Sequence, residues 1–150
     1  YEGSTKKVAQ IIARHVGADL LEVKPKKEMT SKGFGKYILG GSQVVMGKKP
    51  ELLPLDKNID DYDTVFLGSP IWAGTFTPPV KTLLEDGYIK EKNVAYFYCH
   101  KGGHANAVDK GKTAIERNNH FLSSMDFMNP KDNEQSVEEK VKKWVDQVLV

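Results

Sequence analysis

Apolar positions in this chain change their period several times, and the changes outline helices alternating with strands. Val8, Ile11, Ile12 and Val16 recur at helical spacing, with Ser4 placed to cap the element and Gly17 to stop it, so residues 5–16 predict an amphipathic helix. Leu20-Leu21-Glu22-Val23 then predicts a short strand ended by Pro25. Between residues 30 and 50, Phe34, Tyr37, Ile38, Val44 and Val45 suggest one helix, made irregular by Gly40-Gly41 and Gly47. Thr64-Val65-Phe66-Leu67 is a short β-branched and apolar run that ends at Gly68-Ser69-Pro70, and a helix opening on two prolines follows over residues 78–85. The motif recurs as a strand at Val94-Ala95-Tyr96-Phe97-Tyr98, a glycine-containing loop and a helix over residues 105–117. A last short strand is expected over 121–127. Val137, Val141, Trp144, Val145 and Val148 form the apolar stripe of a C-terminal helix.

Strands that alternate with helices imply a parallel sheet, because parallel neighbours need crossover connections, and the crossovers cover both faces. The expected fold is therefore a doubly wound α/β domain in three layers, occupying residues 1–150 as a single unit. Such a sheet ordinarily begins with a buried strand, whereas only Tyr1-Glu2-Gly3 precede the first helix here. The first strand is expected to lie upstream of this chain. Ligands of doubly wound sheets collect at the carboxyl ends of the strands, which selects three segments: the one before Thr5, the one after Leu67 and the one after Tyr98.

Composition narrows the class. Apolar residues at 39% and charged residues at 28% of 150 positions describe one folded domain, neither a disordered chain nor one with a membrane-spanning apolar run. A single cysteine, Cys99, cannot close an intrachain disulfide, which favours a cytoplasmic protein. Twenty-two Lys and Arg against 20 Asp and Glu leave a formal charge of +2. The basic residues fall in scattered pairs such as Lys6-Lys7 and Lys142-Lys143, a pattern of solvated surface and not the dense basic face of a nucleic-acid binder.

Each selected segment carries its own chemistry. Glu2-Gly3-Ser4-Thr5 offers unpaired backbone N–H groups, two hydroxyls and the positive end of a helix dipole, which together suit an anion, although Ser-Thr at a helix start also serves as a plain cap. The segment GSPIWAGTFTPP at 68–79 sets Trp72 among small residues at a strand end, where the indole either packs over the sheet edge or covers a flat ligand. The third, Cys99-His100-Lys101-Gly102-Gly103-His104, offers glycine N–H groups to a carbonyl-rich ring edge. A zinc site on Cys99, His100 and His104 lacks the usual ligand spacing and a fourth ligand, and no catalytic residue is assigned. Two partial motifs fail. Gly111-Lys112-Thr113 has Asn106 where a phosphate-binding loop needs glycine, and Gly33-Phe34-Gly35 has Ile38 where a dinucleotide fingerprint needs one.

Assembled in this order, EGSTKKVAQIIA from Glu2, TVFLGSPIWAGTFTPPVKTLL from Thr64 and NVAYFYCHKGG from Asn93 make the chain resemble the flavodoxin family, in particular its short-chain members, over nearly the whole length. The resemblance implies noncovalent flavin mononucleotide (FMN). Glu2, Gly3, Ser4 and Thr5 would wrap the phosphate; Ser69, Pro70, Ile71, Trp72, Ala73 and Gly74 would line the isoalloxazine and ribityl chain; His100, Lys101, Gly102 and Gly103 would close the polar edge of the ring. The sequence departs from the pattern where His100 and Lys101 replace a second aromatic, and where +2 replaces a strongly acidic balance. Two functions follow from the resemblance: an electron carrier between reductase and acceptor proteins, or an NAD(P)H-dependent reductase of a small quinone-like acceptor. The absence of a separate nicotinamide motif favours the carrier, with neither nucleic acid nor membrane as partner.

Overall fold

A computed structural model of the chain describes residues 4–24, 51–71, 76–100, 107–128, 130–132 and 134–149. Within them three parallel strands form one sheet: β1 (Thr64–Pro70), β2 (Asn93–His100) and β3 (His120–Met128), in the order β1-β2-β3. Four helices accompany it: α1 (Ser4–Val16), α2 (Pro78–Glu85), α3 (Ala107–Glu116) and α4 (Glu134–Val148). The predicted α/β architecture is the one observed.

Alternation along the strands builds two cores, one on each face of the sheet. Val94, Tyr96 and Tyr98 of β2 pack with Leu67, with Leu83 and Leu84 of α2 and with Ile115 of α3. Ala95, Phe97 and Cys99 point the other way, into Val8, Ile11 and Ile12 of α1 and Val137, Val141, Trp144 and Val145 of α4. All but the first residue of β2 are buried, as expected of the strand between two others with a helix layer on each face. Close approach sets one glycine: a Cβ on Gly68 would lie 2.2 Å from the Phe97 ring, so glycine lets that ring lie across β1.

An irregularity in β3 decides which side chains join which core. Val94 pairs with Phe121 but Ala95 with Ser123, so Leu122 is the extra residue of a bulge. The bulge turns Phe121 toward the α2/α3 core while Met125 and Phe127 face the α1/α4 core, although all three hold odd positions in the sequence.

Helix α1 begins at Ser4 itself, and its predicted stop is present: Gly17 has φ +70°, and the Ala18 N–H returns to the Ala13 carbonyl at 3.1 Å. The strand expected at 20–23 does not form. Leu20 is 45% exposed, the segment is irregular, and it is tied to the neighbouring chain where the Leu53 N–H donates to the Lys24 carbonyl at 2.8 Å. Four residues with an exposed leucine and Glu22 do not supply the two buried faces that an inner parallel strand needs. The irregular helix expected at 30–50 lies outside the described residues. Among the described residues no helix is long and apolar enough to cross a membrane.

Candidate functional site

The carboxyl ends of all three strands lie on one edge of the sheet, because all three are parallel and in register: Ser69 pairs with Tyr98, Pro70 with Cys99, and His100 with Met128. The amino end of α1 meets the same edge, where Thr5 lies beside Cys99. Segments far apart in the chain thus converge because the sheet is parallel.

The loop after β1 is held at both ends. Ser69 is fully buried, and its hydroxyl accepts the Thr77 N–H at 3.0 Å while donating to the Pro70 carbonyl at 2.8 Å. Thr77 is the N-cap of α2 and its side chain makes no capping bond; its own N–H is met by Ser69 from across the loop. Pro78 and Pro79 then open the helix, where absent N–H groups cost nothing. The ladder continues one step past β1, since the Ile71 N–H donates to the Cys99 carbonyl at 3.1 Å. Ser69, Pro70 and Ile71 therefore form a fixed rim whose serine works within the protein. Trp72, Ala73 and Gly74 lie outside the described residues.

At the start of α1, Ser4 and Thr5 supply the first N–H groups of a 13-residue helix, while Glu2 and Gly3 lie outside the described residues. The first N–H groups of a helix have no partner within it, and the dipole is positive there. The Thr5 Oγ1 is buried and has no hydrogen-bond partner among the described residues. Its neighbour is the Cys99 thiol, which the hydroxyl draws slightly toward ionisation although the contact falls short of hydrogen-bond geometry. Burial dominates at Cys99 and pushes its pKa up to about 11, so this thiol is a neutral packing group.

His100 ends β2 on the opposite face from Cys99, since neighbouring strand residues point to opposite sides. That opposition separates the two residues that the sequence offered as metal ligands, while His104, Lys101, Gly102 and Gly103 lie outside the described residues. Only 4% exposed, His100 bonds through Nε2 to Asp126 Oδ2 at 2.9 Å. Asp126 stands on β3 opposite Tyr98, and its charge adds to burial in raising the Tyr98 hydroxyl to about 12. Lys140 of α4 reaches around the edge of β3 to the Asp126 carbonyl and carboxylate, crossing the Phe127 ring at 5.1 Å from its centroid. Sequence reasoning named His100 and missed both Asp126 and Lys140. Asp126 carried a readable signal as a carboxylate between Met125 and Phe127, two residues from the carboxyl end of β3.

Solved structures of similar shape agree with this architecture. A flavoprotein of Lactobacillus acidophilus, solved in complex with FMN, is 26% identical over 87% of this chain and 90% of its own, with a TM-score of 0.67. A Bacteroides eggerthii protein assigned as a flavoprotein is 24% identical over 99% of this chain and 92% of its own, with a TM-score of 0.76. A similar protein of Bacteroides uniformis is 23% identical over 97% and 92%, with a TM-score of 0.74. No curated protein matches the chain. With parallel strands, two helical layers and converging strand ends in place, the match of a flavodoxin family model to residues 1–148 completes the assignment: the chain belongs to the flavodoxin family.

Proposed function

We propose that this protein binds FMN at the carboxyl edge of the sheet and carries electrons between partner proteins. The observation that carries the reading is the buried, unpartnered Thr5 Oγ1 at the amino end of α1. An unsatisfied buried hydroxyl costs roughly 1–3 kcal/mol, and a phosphate oxygen beside it would accept its proton while the helix N–H groups meet the same anion. The residues present thus fit a phosphomonoester. The FMN complex of the Lactobacillus acidophilus protein supports the same ligand.

Each part of the edge then has a task. Gly3, Ser4 and Thr5 bind the phosphate, with Glu2 leading into the turn. Ser69 holds the loop that carries Pro70, Ile71, Trp72, Ala73 and Gly74, and the indole covers one face of the ring. His100, Lys101, Gly102 and Gly103 meet the polar edge of the ring. When bound, the flavin supplies the electron-accepting chemistry, and the protein orients it and sets its potential. Cys99, held neutral by burial, packs beneath this edge and takes no part in the redox chemistry.

Titration of the full-length protein with FMN and riboflavin tests the site. FMN should bind at least about tenfold more tightly, the size of one helix-terminus charge interaction. Equal affinity for the two flavins would remove the phosphate site. Oxidation of NADH or NADPH by the purified protein, with and without a quinone, tests the role: a carrier shows no appreciable turnover with either donor alone, and rapid quinone-dependent turnover would make the protein a reductase.

A further inference from the structure

We propose that Asp126 is a positioning residue for the flavin: it locks the His100 ring at the carboxyl edge with its Nε2 proton held on the carboxylate. The inference rests on the FMN reading above and adds to it a residue on a strand that supplies none of the expected ligand contacts. Three observations carry it. His100 is 4% exposed, and a buried imidazole adopts the tautomer that its hydrogen-bond partner dictates. Its Nε2 meets Asp126 Oδ2 at 2.9 Å; a carboxylate oxygen accepts, so the Nε2 proton is held on Asp126. Asp126 is itself fastened, because Lys140 holds both its main-chain carbonyl and its carboxylate.

The chain of support runs from α4 to β3 to the end of β2. Lys140, on the α1/α4 side of the sheet, anchors Asp126; Asp126, on the α2/α3 side, anchors His100. His100 immediately precedes the segment 101–103 that the ring edge would meet. Tyr98 completes the setting, with its ring centroid 6.1 Å from that of His100. Loss of Asp126 would remove the bond that holds the Nε2 edge of the ring. Losses on removing such supporting groups are typically about tenfold or more in ligand affinity in metal sites.

A double-mutant cycle tests the proposal. FMN affinity is measured by flavin fluorescence for the wild type, His100→Ala, Asp126→Ala and the double variant. The expected result is a loss of about tenfold for Asp126→Ala in the wild-type background and none in the His100→Ala background, because the carboxylate acts through the ring. Asp126→Leu, which keeps bulk but offers no acceptor, covers the case in which the alanine variant does not fold. In it, 1H–15N spectra of the apoprotein should show the His100 Nε2 proton losing its hydrogen-bonded position, whereas Asp126→Asn, whose side-chain oxygen still accepts from Nε2, should keep that bond and near wild-type affinity, a rescue specific to the hydrogen bond. Wild-type affinity in Asp126→Leu, an unmoved His100 Nε2 proton there, or an equal loss in both backgrounds would overturn the positioning role while leaving FMN binding intact. A wild type that takes up no FMN would overturn the cofactor reading itself, and this inference with it.

Discussion

The two edges of the sheet are built on opposite terms. At the amino edge the connections close on main-chain bonds: the Asn93 N–H donates to the Asp63 carbonyl at 2.9 Å, His120 to Lys92 at 2.9 Å and Glu91 to Asn118 at 2.8 Å. Asn119 finishes that edge, accepting the Lys92 N–H at 3.0 Å and donating to the Ile89 carbonyl at 3.1 Å. At the carboxyl edge, Ser69, Thr77 and His100 are buried polar side chains, and Thr5 Oγ1 is buried without a partner. One edge closes on main-chain bonds; at the other, Ser69 and His100 are met by partners within the protein, while Thr5 Oγ1 has none among the described residues, and such a group in low dielectric costs stability unless it serves a ligand. The comparison teaches that stability and binding are separable here, and substitutions should divide along that line.

The largest effect belongs to the scaffold between the edges. Trp144 is 2% exposed, stands edge-on to Phe66 and Phe97, and donates from its indole nitrogen to Ser123 at 3.0 Å. Trp144→Ala should cost ~4 kcal/mol in urea denaturation, with the FMN affinity of the folded fraction nearly unchanged. A stable variant that had lost FMN would break the separation.

Next in size is an alkaline limb from Cys99. Its pKa rises from 9.0 to about 11, so the native thiol stays neutral while the unfolded one ionises. The stability that this contributes is fully present below pH 9 and is lost as pH rises toward 11, by about 2–3 kcal/mol at the end of that window. Denaturation at pH 8 and 10.5 should therefore show a smaller fall for Cys99→Ala than for the wild type. Parallel falls would mean that the thiol is less buried than its position between Thr5 and the α1/α4 core requires.

The smaller effects contrast the edges directly. Asn119→Ala removes two bonds at the amino edge and should destabilise by roughly 1–2 kcal/mol with no change in FMN affinity. Thr5→Val deletes the orphan hydroxyl at nearly constant shape. The apoprotein should keep its stability or gain up to about 1 kcal/mol, while FMN binding weakens about tenfold. A destabilised Thr5→Val apoprotein with normal FMN binding would make Thr5 a structural residue and align the two edges after all.

Periodicity in the sequence was sufficient for α1, α2, α4 and all three strands, since each buries a contiguous stripe that its own residues announce. It failed at 20–23, where a short apolar run carries no record of whether a neighbouring strand accepts it. The site was legible as three segments, because the carboxyl edge of a parallel sheet follows from strand order alone. Which atoms face one another was not. The sequence did not show that Ser69 clamps its own loop, and Asp126 gave no short-range motif because its partners, His100 and Lys140, are 26 and 14 residues away. By itself, then, the sequence determined the alternation of elements, their buried faces and the edge on which the strand ends converge, all consequences of local period and chain direction. Tertiary structure alone decided the bulge at Leu122, the orphan Thr5 hydroxyl and the Lys140–Asp126–His100 chain, because each depends on a register or an approach between segments that no local spacing encodes.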